Sequence, residues 1–362
     1  MTKRTLGISL YPDHSDVNED KRYLVLASQY GFTRIFMSMS EVSEGKEKVA
    51  QKFTDLIKFA KDLGFSTTLD IAPNIFEQLE ISYDDLDFFS ELGADAIRLD
   101  QGFDGQKEAL LSFNPQAMNI ELNMSNDVAY LDNILSYAAN RPFIYGCHNF
   151  YPQRGTGLPL DFFISASKRF KKQGIETAAF ITSQSGTLGP WDINDGLPTL
   201  EMHRDLPLDI QAKHLFATNL IDCVIIGNAY ASEDELRRLG ELDRYQLVFR
   251  VELAEEITQL EREILLDNQH VRRGDVTDLV VRSTEVRKKY KANDNPVNPA
   301  SHTFKRGDIV IGNDEFGKYK NELQVVLQDH SDLRKNKVAQ IPTDELFLLD
   351  YIGPWDKFRF RR

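Results

Sequence analysis

The sequence contains few of the residues that mark several common classes of protein. Cys147 and Cys223 are the only cysteines among 362 residues, which predicts no disulfide framework and indicates a reducing, cytoplasmic compartment. The seven histidines are scattered without metal-ligand spacing. Neither a phosphate-binding P-loop, a serine elbow nor a dinucleotide fingerprint occurs in the chain. We therefore expect neither a metal nor a cofactor.

Long apolar runs and positive charge are also scarce. No apolar stretch approaches the ~20 residues needed to cross a bilayer, and the run after Lys3 and Arg4 lacks a signal-peptide cleavage site. The net charge of −13 disfavours a nucleic-acid-binding surface, although a local pocket on an acidic protein can still be positive. The sequence predicts a soluble protein without membrane or nucleic-acid partners, and it leaves the oligomeric state open.

What the sequence does contain is a repeated alternation of short apolar runs and amphipathic stretches. Several of the amphipathic stretches end at a glycine, which can adopt the left-handed conformation that terminates a helix. This alternation predicts a (β/α)8 TIM barrel over residues 1–243, with a doubly wound open sheet as the alternative. The predicted strands are Leu6–Tyr11, Arg34–Ser38, Thr67–Ala72, Ala96–Asp100, Asn119–Asn123, Phe143–His148, Thr177–Ile181 and Cys223–Gly227.

The pattern changes from about Tyr245. Short alternating β-branched segments such as QLVFRVEL, FKRGDIVIG and ELQVVLQD are separated by turn residues, with Ala254–Ile264 as a candidate helix. Residues 244–362 are therefore predicted to form a small all-β domain, either an antiparallel barrel or a sandwich.

Polar residues follow most of the predicted barrel strands, at the end where TIM barrels build their active sites. Asp70, Arg98 and Asp100 share the inward parity, and two carboxylates on neighbouring strands are what hydrolysis of a glycosidic bond requires. The structural alternative is that Asp100 pairs with Arg98 and that Asp70 accepts backbone N–H groups. Glu121 is expected one layer deeper, as a partner of Arg98 or as an acid behind the site. Candidate substrate-binding residues are Ser9, Arg98, Asn123, His148, Asn149, Tyr151, Gln184 and Asn228.

The loop after the seventh strand, Thr182–Pro207, is long and rich in charge. TIM barrels often bind phosphate near the loops after strands seven and eight, at a helix N-terminus. Arg154, His203 and Arg204 are the candidates for a clamp on a phosphate or carboxylate, and surface charges on a lid are the alternative. Glu201 is a reserve catalytic carboxylate. Trp191 either stacks on a sugar or anchors the loop.

Six motifs in this order and spacing resemble the 6-phospho-N-acetylmuramidases: GISLYP, LDIAP, IRLDQGF, ELNMSN, GCHNFYPQRGTGL and GLPTLEMHR. The resemblance implies a TIM barrel followed by a cyclophilin-like β-barrel domain. It also implies hydrolysis of the β-1,4 bond in a phosphorylated amino-sugar disaccharide, N-acetylmuramic acid 6-phosphate–N-acetylglucosamine. Such a disaccharide is phosphorylated during import, so the resemblance implies a cytoplasmic enzyme of peptidoglycan recycling.

In this interpretation Asp70 or Asp100 is the general acid, and the other is the base, the nucleophile or an electrostatic stabiliser. The substrate's own N-acetyl group as nucleophile is a further alternative. Two other functions remain open: a non-catalytic sensor that binds a phosphosugar, and another phosphosugar-processing barrel enzyme. The lack of an inward lysine at the strand ends disfavours a Schiff-base aldolase.

Overall fold

The computed structural model describes residues 3–39, 46–71, 86–99, 102–126, 129–299 and 302–362. The chain divides into two compact units, Met1–Leu242 and Asp243–Arg362. Within the described ranges, no helix combines the length and the apolar character that crossing a membrane requires.

The first unit is a TIM barrel, which confirms the predicted fold class. Its eight parallel strands close into a ring because the first strand pairs with both the second and the eighth. Each strand begins and ends within one residue of its predicted bounds, because every apolar run is flanked by polar or turn residues. The strands are β1 Thr5–Leu10, β2 Arg34–Met39, β3 Ser66–Ile71, β4 Ala96–Leu99, β5 Asn119–Asn123, β6 Ile144–Cys147, β7 Glu176–Ile181 and β8 Cys223–Ile226.

The helices between these strands have recognisable start and stop signals. Asp16 caps the first helix by accepting from two backbone N–H groups, and Ser232 caps the helix after β8 by accepting from the backbone N–H group of Glu235. Gly31, Gly64, Gly93 and Gly174 all have positive φ at helix ends, as predicted. The helices described in this unit are α1 Val17–Gln29, α2 Lys46–Asp62, α3 Asp87–Glu91, α4 Gln106–Leu111, α5 Tyr130–Ser136, α6 Leu160–Lys172, α7 Leu208–Ala217 and α8 Glu233–Gly240.

One lateral row of residues crosses the inner wall of the barrel from its mouth towards its base. Neighbouring strands are paired in register along this row, and the tilt of barrel strands carries the row downwards. Six residues on β2 to β7 form it, namely Ser38, Asp70, Arg98, Glu121, Tyr145 and Glu176. Beside the row, an apolar cluster of Phe36, Cys147, Ala178, Phe180, Cys223 and Ile225 fills the interior. Both cysteines are therefore buried as small apolar side chains and are not bonded to each other.

The second unit is rich in short strands, in agreement with the predicted C-terminal all-β region. Its largest sheet is antiparallel with strand order β10-β17-β14-β15-β12, a second sheet has the order β11-β18-β9, and β13 pairs with β16. The strands are β9 Leu247–Arg250, β10 Glu252–Leu253, β11 His270–Val271, β12 Val280–Ser283, β13 Thr303–Phe304, β14 Asp308–Gly312, β15 Leu323–Val326, β16 His330–Ser331, β17 Lys335–Gln340 and β18 Lys357–Arg361. Helices α9 Gln259–Leu266 and α10 Glu285–Lys289 connect some of them. A cyclophilin-like classification of this unit stays a prediction.

Candidate active site

A cavity of about 440 Å³ opens at the C-terminal ends of the barrel strands. One side carries polar groups from β2, β3, β4 and the segment after β6, and the other side is aromatic. Its described lining consists of Phe36, Ser38, Met39, Asp70, Arg98, Asn149, Phe150, Phe180, Pro190 and Trp191. The cavity lies where TIM-barrel enzymes bind their substrates.

Asp70, Arg98 and Asn149 form the polar cluster of this cavity. The Nε atom of Arg98 lies 3.4 Å from Oδ1 of Asp70, and its Nη2 atom donates to Oδ1 of Asn149. The side chain of Arg98 is 3% exposed, whereas that of Asp70 is 24% exposed. The carboxyl group of Asp70 therefore faces the cavity, and the guanidinium group of Arg98 holds it from behind. The structure thus brings together three residues that sequence parity and strand ends nominate separately.

Arg98 is itself fixed by a buried carboxylate, Glu121. The two oxygens of Glu121 lie 3.0 Å from Nη1 of Arg98 and 2.6 Å from Nη2 of Arg34. Arg98 also donates to the carbonyl of Cys147 at 3.2 Å, and the guanidinium of Arg34 stacks on the ring of Tyr145 at 4.3 Å. As the strand parity predicts, Glu121 lies one layer below the cavity and pairs with Arg98. The guanidinium of Arg98 consequently has little freedom to reorient.

His148 faces away from the cavity and is not among the residues that line it, so a contact with substrate stays a prediction. β6 ends at Cys147, whose side chain points into the barrel, so the next side chain points outwards towards α6. The ring of His148 is fully buried, with Nδ1 3.1 Å from Oγ of Ser125 and Nε2 2.9 Å from Oγ of Ser167. Burial, and secondarily the charge of Arg98, lowers the pKa of His148 to about 3, so the ring is neutral at pH 7.

His148 contacts Ser125, which in turn contacts the backbone of Asn149. The hydroxyl of Ser125 accepts a hydrogen bond from the backbone N–H of Asn149 at 2.8 Å. The relay from Ser167 through His148 and Ser125 therefore fixes the backbone of Asn149, whose side chain is in the cavity. Tyr151 lies half-buried beside this relay, and burial raises the pKa of its phenol.

Three other predicted substrate-binding residues are engaged within the protein. Ser9 is fully buried and donates to a β8 carbonyl at 2.7 Å, and Asn123 accepts from the backbone N–H of Ser125 at 2.9 Å. Asn228 is 1% exposed. Its Oδ1 atom accepts from the backbone N–H group of Ser183, and its Nδ2 atom donates to the carbonyls of Ser183 and Gly186. These groups follow barrel strands, as expected, but they stabilise the rim and do not line the cavity.

Glu201 and Arg204, with Gly155 and Gly157, form a cluster that joins the loops after β6 and β7. Oε1 and Oε2 of Glu201 accept from the backbone N–H groups of Gly155 at 2.9 Å and Gly157 at 2.8 Å. The same carboxylate accepts two bonds from the guanidinium of Arg204, at 2.8 and 2.7 Å. Hydrogen bonds from Arg204, and then from the two glycines, lower the pKa of Glu201 to about 2. Such a carboxylate is unsuited to act as a general acid at neutral pH.

The remaining donors of Arg204 serve the same two loops. They reach the backbone carbonyls of Tyr151, Gln153, Asp195 and Gly196 at 3.1 to 3.2 Å. Arg204 is only 2% exposed, so its guanidinium is fully committed to the protein. The GCHNFYPQRGTGL and GLPTLEMHR motifs therefore supply the cluster that joins the loops after β6 and β7.

The predicted phosphate clamp is not assembled as one site. His203 is fully buried, with Nε2 2.7 Å from Nδ1 of His214, and burial together with the charge of His214 lowers the pKa of His203. Arg154 alone of the three candidates is exposed, and it grips Asp205 with two bonds of 2.7 and 2.8 Å. Arg154 therefore remains the candidate that a ligand in solvent can reach.

The position at which TIM barrels commonly bind phosphate is occupied by a carboxylate of the chain itself. Glu235, in the first turn of α8, accepts from Oγ of Ser183 at 2.7 Å and from the backbone N–H groups of Gln184 and Ser232 at 2.9 and 3.1 Å. Burial acts to raise the pKa of Glu235, but hydrogen bonds from Ser185 and Ser183 lower it. A phosphate at this helix N-terminus would have to compete with Glu235 for the same donors, and the location of a phosphate site near these loops stays a prediction. Gln184, predicted to bind substrate, instead donates its amide to the carbonyl of Arg204 at 3.0 Å.

Sequence reasoning named Trp191 but missed the other apolar residues that line the cavity. They include Phe150 and Phe180, and Phe36 and Met39 come from β2. The available signal was strand parity, because Phe36 and Phe180 share the inward face with polar residues at the strand ends. Asp100 falls outside the described residues. In the ranges that are described, no group of histidine, cysteine, aspartate and glutamate side chains could hold a metal ion.

A closed (β/α)8 barrel with a carboxylate and a guanidinium in a cavity at its C-terminal end defines a TIM-barrel protein with a site of the enzyme type. Models of the 6-phospho-N-acetylmuramidase N-terminal and C-terminal domains match residues 6–241 and 247–361. The chain therefore belongs to the 6-phospho-N-acetylmuramidase family, as its motifs indicate, and the family name supports a glycosidase kind of function with a phosphorylated muramyl sugar as substrate.

Two similar solved structures extend over nearly the whole chain. An uncharacterized B. cereus protein shares 54% sequence identity with a TM-score of 0.94, and the match covers 99% of this chain and 100% of that one. A conserved Enterococcus faecalis protein of unknown function shares 26% identity with a TM-score of 0.72, covering 99% and 96%. None of the curated proteins compared with the chain matches it significantly.

Proposed function

We propose that this chain is a glycoside hydrolase that cleaves the β-1,4 bond between N-acetylmuramic acid 6-phosphate and N-acetylglucosamine. The observation that carries the proposal is the Asp70–Arg98–Asn149 cluster in the barrel cavity of a 6-phospho-N-acetylmuramidase family member. A carboxylate that faces a cavity and is held by a buried guanidinium is a suitable group for glycosidic chemistry.

Asp70 is assigned the role of general base, nucleophile or stabiliser of the oxocarbenium-like transition state. Its carboxyl group faces the cavity, and the Nε atom of Arg98 lies 3.4 Å from its Oδ1 atom. The general acid is then the second carboxylate of the pair, Asp100, and for that residue the assignment depends on sequence parity alone. If the N-acetyl group of the substrate is the nucleophile, Asp70 orients it.

Arg98 and Asn149 position the substrate beside Asp70. Arg98 is held by the buried Glu121, which also pairs with Arg34, so its orientation is set before the substrate binds. With its Oδ1 engaged by Arg98, Asn149 has its side-chain NH₂ group to offer to a hydroxyl or an N-acetyl carbonyl. The Ser167–His148–Ser125 relay fixes the backbone of the same residue.

Arg154 is our candidate for binding the 6-phosphate. Its partner Asp205 is exposed, and an exposed ion pair contributes little, so a dianionic phosphate can displace the carboxylate and take over the bidentate geometry. A substrate phosphorylated during import would meet the enzyme in the cytoplasm, and we propose that compartment and a role in peptidoglycan recycling on the strength of the family.

The decisive experiment measures hydrolysis of the disaccharide with and without its 6-phosphate, with products resolved by mass. Asp70→Asn should reduce turnover at least about 100-fold, because it removes a charged group at the reacting centre. Asp62→Asn, a matched change at an exposed position near the end of α2, should leave the rate unchanged. Wild-type rates in Asp70→Asn would remove that residue from the mechanism, and binding without cleavage would identify a sensor.

The phosphate assignment has its own test. Arg154→Ala should lower the ratio of kcat/KM for the phosphorylated over the unphosphorylated disaccharide by about tenfold, since a bidentate contact to phosphate is lost. Arg237→Ala, which breaks a comparable exposed ion pair with Asp234, should leave the ratio unchanged. An unchanged ratio in Arg154→Ala would place phosphate recognition on other residues.

A further inference from the structure

We propose that Trp191 is the platform on which a pyranose ring of the saccharide substrate stacks. The inference deepens the proposed function, since it names the residue that recognises the sugar ring in the same cavity. It begins with an exposed aromatic side chain: Trp191 lines the cavity and is 59% exposed. Large apolar groups left open to solvent in a concave site mark binding surfaces.

Anchoring the loop is not what Trp191 does. The loop is held by Leu197, which is fully buried, by the buried Pro190, and by backbone pairing of Leu188 with Ala229 at 2.8 Å. These contacts flank Trp191 and leave more than half of its indole open. A residue that only fixed the loop would be buried, as Pro190 and Leu197 are.

The indole is nevertheless supported from behind. Its ring centroid lies 6.0 Å from that of Phe150, and Phe150 packs edge-to-face on Phe180 at 5.0 Å and on Phe36 at 5.9 Å. Phe36 and Phe180 belong to the interior cluster of the barrel. The aromatic wall is therefore continuous with the core, so the indole can bind a ligand without ordering a mobile side chain.

The rest of the cavity complements this wall. Asp70, Arg98 and Asn149 supply charged and amide groups to the same cavity that Trp191 and Phe150 line with apolar rings. A pyranose ring has an apolar face of C–H groups and a rim of hydroxyls and amides. Stacking its face on Trp191 allows the rim to reach the polar cluster, so the ligand class that fits is an amino-sugar and not a purely ionic metabolite.

Kinetics of the full-length enzyme on the phosphorylated disaccharide provide the first test. Trp191→Ala should raise KM about tenfold or more with a smaller change in kcat, because stacking is present in both the bound substrate and the transition state. Trp191→Phe should restore KM to within about threefold of wild type, since it keeps an aromatic face. Phe113→Ala, which removes another exposed aromatic side chain of the barrel unit, is the control and should leave both constants unchanged.

Intrinsic fluorescence provides a readout that a structural role would not change. The chain has two tryptophans, so Trp355→Phe leaves Trp191 as the sole reporter and Trp191→Phe leaves Trp355. Titration with N-acetylglucosamine, and separately with N-acetylmuramic acid 6-phosphate, should shift or quench the emission of the Trp355→Phe protein with one of these sugars. The Trp191→Phe protein should show no change with either sugar.

The outcomes separate this inference from the proposed function. If Trp191→Ala hydrolyses the disaccharide with an unchanged KM and neither sugar changes the emission of Trp191, the stacking proposal is wrong and the proposed glycosidase function is unaffected. A fluorescence response to a sugar without any hydrolysis would support the platform and overturn the glycosidase. Loss of kcat with unchanged KM in Trp191→Ala would also overturn the platform, because it would assign the residue to loop structure or chemistry.

Discussion

Replacing Glu121 by glutamine should destabilise the barrel and weaken catalysis through one change of charge. Glu121 is the only carboxylate that the described residues place within ion-pair distance of both Arg34 and Arg98, at 2.6 and 3.0 Å, and its side chain is 1% exposed. Glutamine has nearly the same shape but no charge, so two buried guanidinium groups lose their shared counter-ion. Removing one partner of a buried ion pair costs about 3–5 kcal/mol.

The lower end of that range is expected here, because each arginine keeps a second carboxylate. Arg34 retains Glu176 at 3.8 Å, and Arg98 retains Asp70 at 3.4 Å. A loss of about 3 kcal/mol corresponds to a fall of roughly 6–12 °C in Tm for a unit of this size. Because Arg98 would no longer be fixed against Glu121, kcat/KM should fall about 10- to 100-fold as the orientation of Arg98 beside Asp70 is lost.

The assay is urea and thermal unfolding of the full chain, with hydrolysis measured on the same preparations. Glu176→Gln is the matched control, since Glu176 contacts the same Arg34 from a longer distance with a side chain that is 31% exposed. That control should cost less than about 1 kcal/mol and leave kcat/KM unchanged. An unfolding free energy of Glu121→Gln within about 1 kcal/mol of the wild-type value would refute the claim that this carboxylate holds the two arginines.

Two further changes test other parts of the barrel. Gly157→Ala should lower the free energy of unfolding by about 1–3 kcal/mol and reduce activity, because the new Cβ would lie 2.7 Å from the backbone nitrogen of Glu201. Gly189→Ala is the control, since its Cβ would meet only a Leu197 methyl group at 3.2 Å. Equal losses of unfolding free energy in the two variants would contradict this reasoning. Lowering the pH from 7 to 5 should reduce the free energy of unfolding by about 2 kcal/mol for each of two buried histidines, His148 and His214. Burial lowers their pKa values to about 3 and about 4, so below about pH 6.5 the unfolded chain binds protons that the native state excludes. A flat urea-unfolding profile over that pH range would contradict the burial of neutral histidines.

The fold was predictable because its signals are local and repeated. Each barrel strand is a short apolar run, and glycines such as Gly64 and Gly174 end helices with φ of 89° and 73°. Parity along the strands also placed Asp70, Arg98 and Glu121 on one inner face, because side chains alternate in any strand. What these signals share is that they depend on a residue and its nearest neighbours in sequence.

The site was predicted less completely, for two physical reasons. His148 was predicted from its place at a strand end alone, but side chains alternate along β6, so Cys147 takes the inward position and His148 points the other way. The second reason is that long loops need internal partners for their own backbone groups. Arg204 and Asn228 meet that need, and their sequence positions do not distinguish them from ligand-binding residues.

The same requirement explains why several potential anion-binding groups among the described residues already have partners. Three groups that could bind a phosphate already have a carboxylate as partner: Glu201 occupies Arg204, Glu235 occupies the N-terminal turn of α8, and Glu121 lies between Arg34 and Arg98. Each of these carboxylates is at least partly buried and held by several donors, so displacing it would leave a desolvated charge. The Arg154–Asp205 pair differs because both side chains are exposed, at 56% and 74%. An enzyme that selects a phosphorylated over an unphosphorylated sugar needs a cation whose existing partner is easily displaced. We therefore assign phosphate recognition to Arg154 and not to the arginines that pair with buried or partly buried carboxylates.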